Sequence, residues 1–189
     1  MNIFAKLVFI TSLSLALSGC FVSDDPLIDI SDAEQVFPPG AYRAVEYDDG
    51  NVEEEWFGTV HYVDGMIRSD VEDFPFEDMM FRRIARRTYA AQSPENGDFM
   101  YLILITNRDG SANMYLPMCE NLSSRARNRH DLVLDDNETC EVGSWNDLRG
   151  AFRDYIDEEE ASMMPHISFH PIDEDDLPVP EPVGKPLKN

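Results

Sequence analysis

The side chains in this chain that could do chemistry are few and lie far apart. They are Cys20, Cys119 and Cys140, the histidines of His166-Ile167-Ser168-Phe169-His170, and two arginine islands at 82–87 (RRIARR) and 125–130 (RARNRH). If 166–170 is extended, positions 166, 168 and 170 face one way and could offer two imidazoles to a metal. The sequence places no third ligand, so His166 and His170 read more readily as a histidine pair at the edge of the core. The acidic runs 48–55 and 135–141 lack the D-x-[DN]-x-[DN]-G spacing that wraps calcium and read as solvated turns. There is no GxSxG nucleophile turn and no phosphate-cradling glycine loop, and no catalytic residue or cofactor is expected. The guanidiniums of Arg82, Arg83, Arg86 and Arg87 could grip a carboxylate or phosphate of a partner bidentately. Given 37 acidic residues against 15 lysines and arginines, internal pairing of both islands is the favoured reading.

The amino end carries a different signal. Residues 1–6 contain one lysine and no acid, and 7–17 (LVFITSLSLAL) form an uncharged apolar run. That is the pattern of a secretory signal. The run is shorter than the roughly 20 apolar residues a spanning helix requires. It ends in Leu17-Ser18-Gly19-Cys20, which resembles the lipobox of bacterial lipoproteins: an apolar residue, two small ones, then cysteine. A thiolate is the nucleophile able to accept a diacylglyceryl group. The resemblance covers residues 1–20 and implies cleavage before Cys20, with acylation of its sulfur and of its new amino terminus. One acyl chain binds a membrane only marginally, whereas two or three hold stably. Phe21 stands where the inner-membrane retention signal of enteric lipoproteins has aspartate, so the resemblance favours the outer membrane, facing the periplasm or the surface.

The formal charge of −22 argues against nucleic acid as a partner and against flat docking on anionic lipid. If Cys20 is lipidated, Cys119 and Cys140 remain as an even pair in an oxidising compartment and are expected to form a disulfide. In the chain-entropy model, closing a loop of this size is worth about 3 kcal/mol. Few apolar residues lie between the two cysteines, so the bridge would staple a segment that little else holds.

These groups must be positioned by the elements around them. Residues 1–19 are read as the signal and 20–39 as a lipidated tether that becomes ordered near Phe37 and ends at Pro38-Pro39-Gly40, able to reach about 60 Å if fully extended, the alternative being that Ile28, Ile30 and Val36 pack on the domain. Residues 40–170 are expected to form one β-rich domain. Period-two patterning and Asp-Gly steps at 49–50, 64–65 and 109–110 predict an antiparallel meander, folded as a sandwich or a barrel-like sheet. Candidate strands are 41–48, 54–63, 66–71, 87–92, 99–106 and 111–118. The segment 99–105 (FMYLILI) is apolar on both faces and is expected at the centre. Residues 74–86 fit a short helix and a strand equally. Ser144 followed by Asp147, with Leu148, Phe152, Tyr155 and Ile156 at helical spacing, predicts one amphipathic helix over 144–159. A last strand at 166–170 leads into an acidic, proline-rich tail, 171–189, expected to be disordered. The fold class is therefore mainly β (α+β), with one carboxy-terminal helix.

The mature part loosely resembles small alphaproteobacterial lipoproteins in its Phe37-Pro38-Pro39-Gly40-Ala41-Tyr42 and Cys140-Glu141-Val142 segments, a likeness that implies no activity. Two functions are compatible with the sequence. One is a non-enzymatic envelope lipoprotein that binds another envelope component; the other is a barrel-like lipoprotein that binds a small apolar ligand or lipid. An enzyme would need convergent polar groups that the sequence does not display.

Overall fold

A computed structural model describes residues 19–71, 74, 75, 78–136, 138–159 and 162–178. The chain is mainly β, with, among the described residues, eleven strands in one open mixed sheet and one main helix. The strands are β1 (Phe21–Ser23), β2 (Gly40–Asp48), β3 (Asn51–Val63), β4 (Met66–Ser69), β5 (Met80–Ala85), β6 (Thr88–Glu95), β7 (Asp98–Thr106), β8 (Ala112–Tyr115), β9 (Val133–Leu134), β10 (Cys140–Glu141) and β11 (Ile167–Pro171). The helices are α1 (Ser124–Arg129) and α2 (Trp145–Glu159).

The hairpins form where the sequence supplies residues that tolerate positive φ. Asp49-Gly50 (47° and 79°), Asp64-Gly65 (53° and 80°) and the unanticipated Asn96-Gly97 (51° and 105°) turn β2 into β3, β3 into β4 and β6 into β7. β7 is central, as its two-faced apolar pattern predicts: it pairs antiparallel with β6 along its whole length, with β8 through 103–106 and with β1 through 99–101.

The two faces of β7 seed two cores. Leu102 and Leu104 join Tyr42, Val60, Ile67, Phe81, Met114 and Phe169 on the concave side of β2 to β8 and β11. The outer strands β4 and β5 are not paired, but the sheet curls so that Ile67 N donates to Met79 O (3.1 Å) and Asp78 N to Ile67 O (3.2 Å). Phe37 plugs this interior, with its ring edge-on to Tyr42, Phe81 and Phe169 at 5.4 to 5.9 Å. Tyr101 and Ile103 point the other way, into a second core with Phe21, Ile84, Leu148, Phe152 and Tyr155 beneath α2.

α2 is capped as its sequence predicts. Ser144 Oγ accepts from Asp147 N (3.3 Å) and donates to the Asp147 carboxylate, and Leu148, Ala151, Phe152 and Tyr155 are buried. Residues 74–86, ambiguous in sequence, resolve in their second half as strand β5.

Two expectations are corrected. Residues 20–39 are not a free tether: Phe21 and Ile28 are fully buried and Phe37 nearly so, because their partners, Tyr101, Gln92 and Phe81, lie far along the chain. The tail does not begin at 171 either. Pro171 pairs with Tyr42 in β11, Ile172 N donates to Ala41 O (3.0 Å), and 174–176 form a 3₁₀ turn. The expected signal, apart from Gly19, and the tail from 179 onward lie outside the described residues.

Candidate functional site

Cys20 sits at the mouth of a three-strand corner. β1 runs parallel to β10 and antiparallel to β7, which places Phe21 opposite both Cys140 and Tyr101. Cys140 N donates to Cys20 O (2.8 Å), and Cys119 N to Gly19 O (2.5 Å). Cys119 and Cys140 form the expected disulfide, with Cα atoms 5.6 Å apart. The bridge ties the two ends of the excursion carrying α1 and β9 to each other, and its Cys140 end, in β10, pairs with β1. Gly19 adopts φ 94°, and a side chain there would run into Met118. The Cys20 side chain is 1% exposed, and burial pushes its thiol pKa up.

The amino-terminal segment is held by buried polar groups. Gln92 Oε1 accepts from Leu27 N and Ile28 N (both 2.8 Å), and its Nε2 donates to Ile28 O (3.2 Å). Tyr101 Oη completes the network, lying 2.7 Å from Ser23 Oγ and accepting from Leu27 N (3.0 Å). Burial dominates the upward shift of the Tyr101 phenol.

The first arginine island divides. Arg82 binds Asp32 (3.0 Å) and lies over the Trp145 ring (4.3 Å), while Arg83 binds Glu34 (2.6 Å) and lies over Tyr89 (4.9 Å). Arg86 is exposed and Arg87 half-buried in the β5–β6 turn, and among the described residues neither has a carboxylate partner. α2 adds two arginines that sequence reading missed. Arg149 Nε (3.4 Å) and Arg153 Nη2 (2.9 Å) both donate to the carbonyl of Ile84. Their signal was available: 149 and 153 are one helical turn apart, on a helix already predicted.

In the second island, Arg127 donates to the carbonyls of Cys119, Glu120 and Leu122, closing the end of the 3₁₀ turn at 119–121. Arg129 (2.6 Å) and His130 (2.9 Å) both meet the Asp154 carboxylate. Gly150 leaves room on α2 for the His130 ring.

His166 precedes β11 and His170 lies within it, and they turn to different acids. His166 Nε2 lies 3.4 Å from Glu46, and His170 faces Asp109, whose carboxyl is held below its ordinary value mainly by the Ser111 hydroxyl and amide. Among the described residues, no group of three or more His, Cys, Asp or Glu is placed to hold a metal. A cleft of about 460 Å³ lies between Tyr115, Leu116 and Met118 on one side and Tyr155, Met163 and Met164 on the other. No described helix is long and apolar enough to cross a membrane. Comparison with known proteins returns no matching family model, no similar curated protein and no similar solved structure.

Proposed function

We propose that the chain is a non-enzymatic, lipid-anchored protein of the cell envelope, held to a membrane, the outer one by preference, through acyl groups on Cys20, and binding another envelope component. The observation that carries this reading is the Cys119–Cys140 bridge, since structural disulfides persist in oxidising compartments outside the cytosol. The signal-like run and Leu17-Ser18-Gly19-Cys20 supply the route there. Cleavage before Cys20 would leave every strand intact and remove one described contact, the Gly19 carbonyl on Cys119 N. Acylation would precede folding, because the folded domain buries the thiol, and the acylated side chain would have to leave the buried position that the free thiol occupies here.

The test is metabolic labelling with radioactive palmitate, followed by membrane fractionation. Label should enter the wild-type chain and be lost in Cys20→Ser, which should stay unprocessed. Absence of label, or normal processing and retention of Cys20→Ser, would sink the reading. A second reading, a carrier of a small apolar ligand, has one observation in its favour. The methionine- and tyrosine-walled cleft has a volume in the range of ligand sites, and it is open to solvent, with Asp49, Asn121 and Glu159 sharing its lining. Lipid co-purifying with the wild-type chain and lost in Met118→Glu would favour it.

A further inference from the structure

We propose that Arg86, Arg87, Arg149 and Arg153 form the docking site for a carboxylate-bearing segment of another protein. The inference rests on the interaction reading above and names the face and chemistry that serve it. Arg149 and Arg153 are like charges at i and i+4 on α2, a spacing that repels, and they converge on one neutral acceptor, the Ile84 carbonyl. Arg86 follows two residues later on an exposed turn, beside Arg87. Arg87 takes φ 105°, a backbone conformation that residues with a Cβ rarely adopt. The chain carries 37 acids, and Arg43, Arg68, Arg82, Arg83 and Arg129 each sit on one. Among the described residues, the four arginines of this patch have no carboxylate partner. Arg108, Arg125 and Arg127 lack one as well among the described residues; what sets the patch apart is that Arg149 and Arg153 share the Ile84 carbonyl two and three residues before Arg86 and Arg87, a concentration of positive charge that favours an anion from outside.

The kind of anion follows from the rest of the surface. At a net charge of −22 the protein repels the continuous charge of an anionic bilayer or a nucleic acid more strongly than that of a short acidic peptide. A glutamate or aspartate on a protein loop presents its charge locally and fits the guanidinium fork. Arg82, held between Asp32 and Trp145, gives the patch a fixed rim and places Trp145 beside it as a reporter.

The experiment uses the full-length chain in detergent carrying Trp56→Phe, so that emission comes from Trp145 alone. It is titrated at low salt with acetylated hexaglutamate, with hexaglutamine, and with phosphatidylglycerol vesicles. Hexaglutamate should shift the emission saturably and hexaglutamine should not. Arg149→Gln/Arg153→Gln should weaken that binding at least about ten-fold. Arg86→Gln/Arg87→Gln, whose side chains make no hydrogen bond in the described fold, should weaken it similarly and guards against misfolding. Equal responses to the two peptides, or affinity unchanged in both variants, would overturn the proposal. Tighter binding of the vesicles than of hexaglutamate would also overturn it and assign the patch to lipid phosphate. Palmitate labelling of the same variants reads the anchor separately. No label in the wild-type chain with peptide binding retained overturns the anchor alone, and label present in the wild-type chain with no peptide binding overturns the patch alone.

Discussion

Gln92 and Ile28 exchange a reciprocal pair of hydrogen bonds: the Ile28 amide donates to Gln92 Oε1 at 2.8 Å, and Gln92 Nε2 donates to the Ile28 carbonyl at 3.2 Å. One side chain on β6 thus does for the amino-terminal segment what a neighbouring strand would do. Gln92→Leu leaves two buried backbone groups of Ile28 unpaired, at about 1–3 kcal/mol each. The expected loss is about 2–4 kcal/mol in urea unfolding, with new protease sensitivity near residue 28. A loss under about 0.5 kcal/mol would show that Gln92 does not hold the segment.

Phe37 separates a packed segment from a tether with one substitution. Phe37→Ala removes a ring that touches three others inside the curled sheet and should cost about 3–5 kcal/mol. A spacer residue would cost nothing. The same substitution at Ile30, exposed on the same segment, should change the thermal midpoint little.

The contrast between these two residues shows what the sequence discloses and what it hides. β7 is legible because burial on both faces leaves an unbroken apolar run, and α2 because Ser144 and Asp147 mark its start. β5 is hard to read because Arg82 and Arg83 break its alternation; they sit there stacked on Trp145 and Tyr89. α1 escapes detection because its six residues carry one buried side chain, Ala126, and its cap, Ser123, is held by Glu158, 35 residues away. The docking of 21–37 depends on Gln92, Tyr101 and Phe81, partners that no local pattern connects to it. The arginine patch is half legible: 86 and 87 stand out as a run, whereas 149 and 153 are scattered among acids until the helix aligns them.

Removing the bridge should loosen one region first. Cys119→Ala/Cys140→Ala, or reduction, should cost about 3 kcal/mol in global stability. Amide exchange should rise most across α1, β9 and β10, which would then hang on Leu122, Ala126 and Leu132 in the second core, on Asp154 and Glu158 of α2 and on the short β1–β10 pairing. Uniform exchange across the sheet instead would show that the bridge does not act as a local staple.

Cys20 supplies a pH signature in the unacylated chain. Burial raises its folded pKa above the unfolded value of about 8.5, so the stabilisation is complete below that pH. It is lost as pH climbs through the folded pKa, because the unfolded chain gives up its proton first. Tyr42, Tyr62 and Tyr101, also shifted upward chiefly by burial, act in the same sense from about pH 10. Urea midpoints should therefore fall between about pH 8.5 and 10 for wild type but stay level for Cys20→Ser, with both falling above that. Superimposable profiles would refute the role of the thiol.

The corner where β1 lies between β7 and β10 also sets how the protein meets a mechanical load. Tension applied at residue 20 along the axis of β1 strains two ladders in shear, with the disulfide tying Cys140, on one of them, to Cys119. The bonds must fail together rather than one at a time. The end of the domain at which an anchor would attach is thus among its best braced, and a pull there would drag the whole body before it peeled a strand.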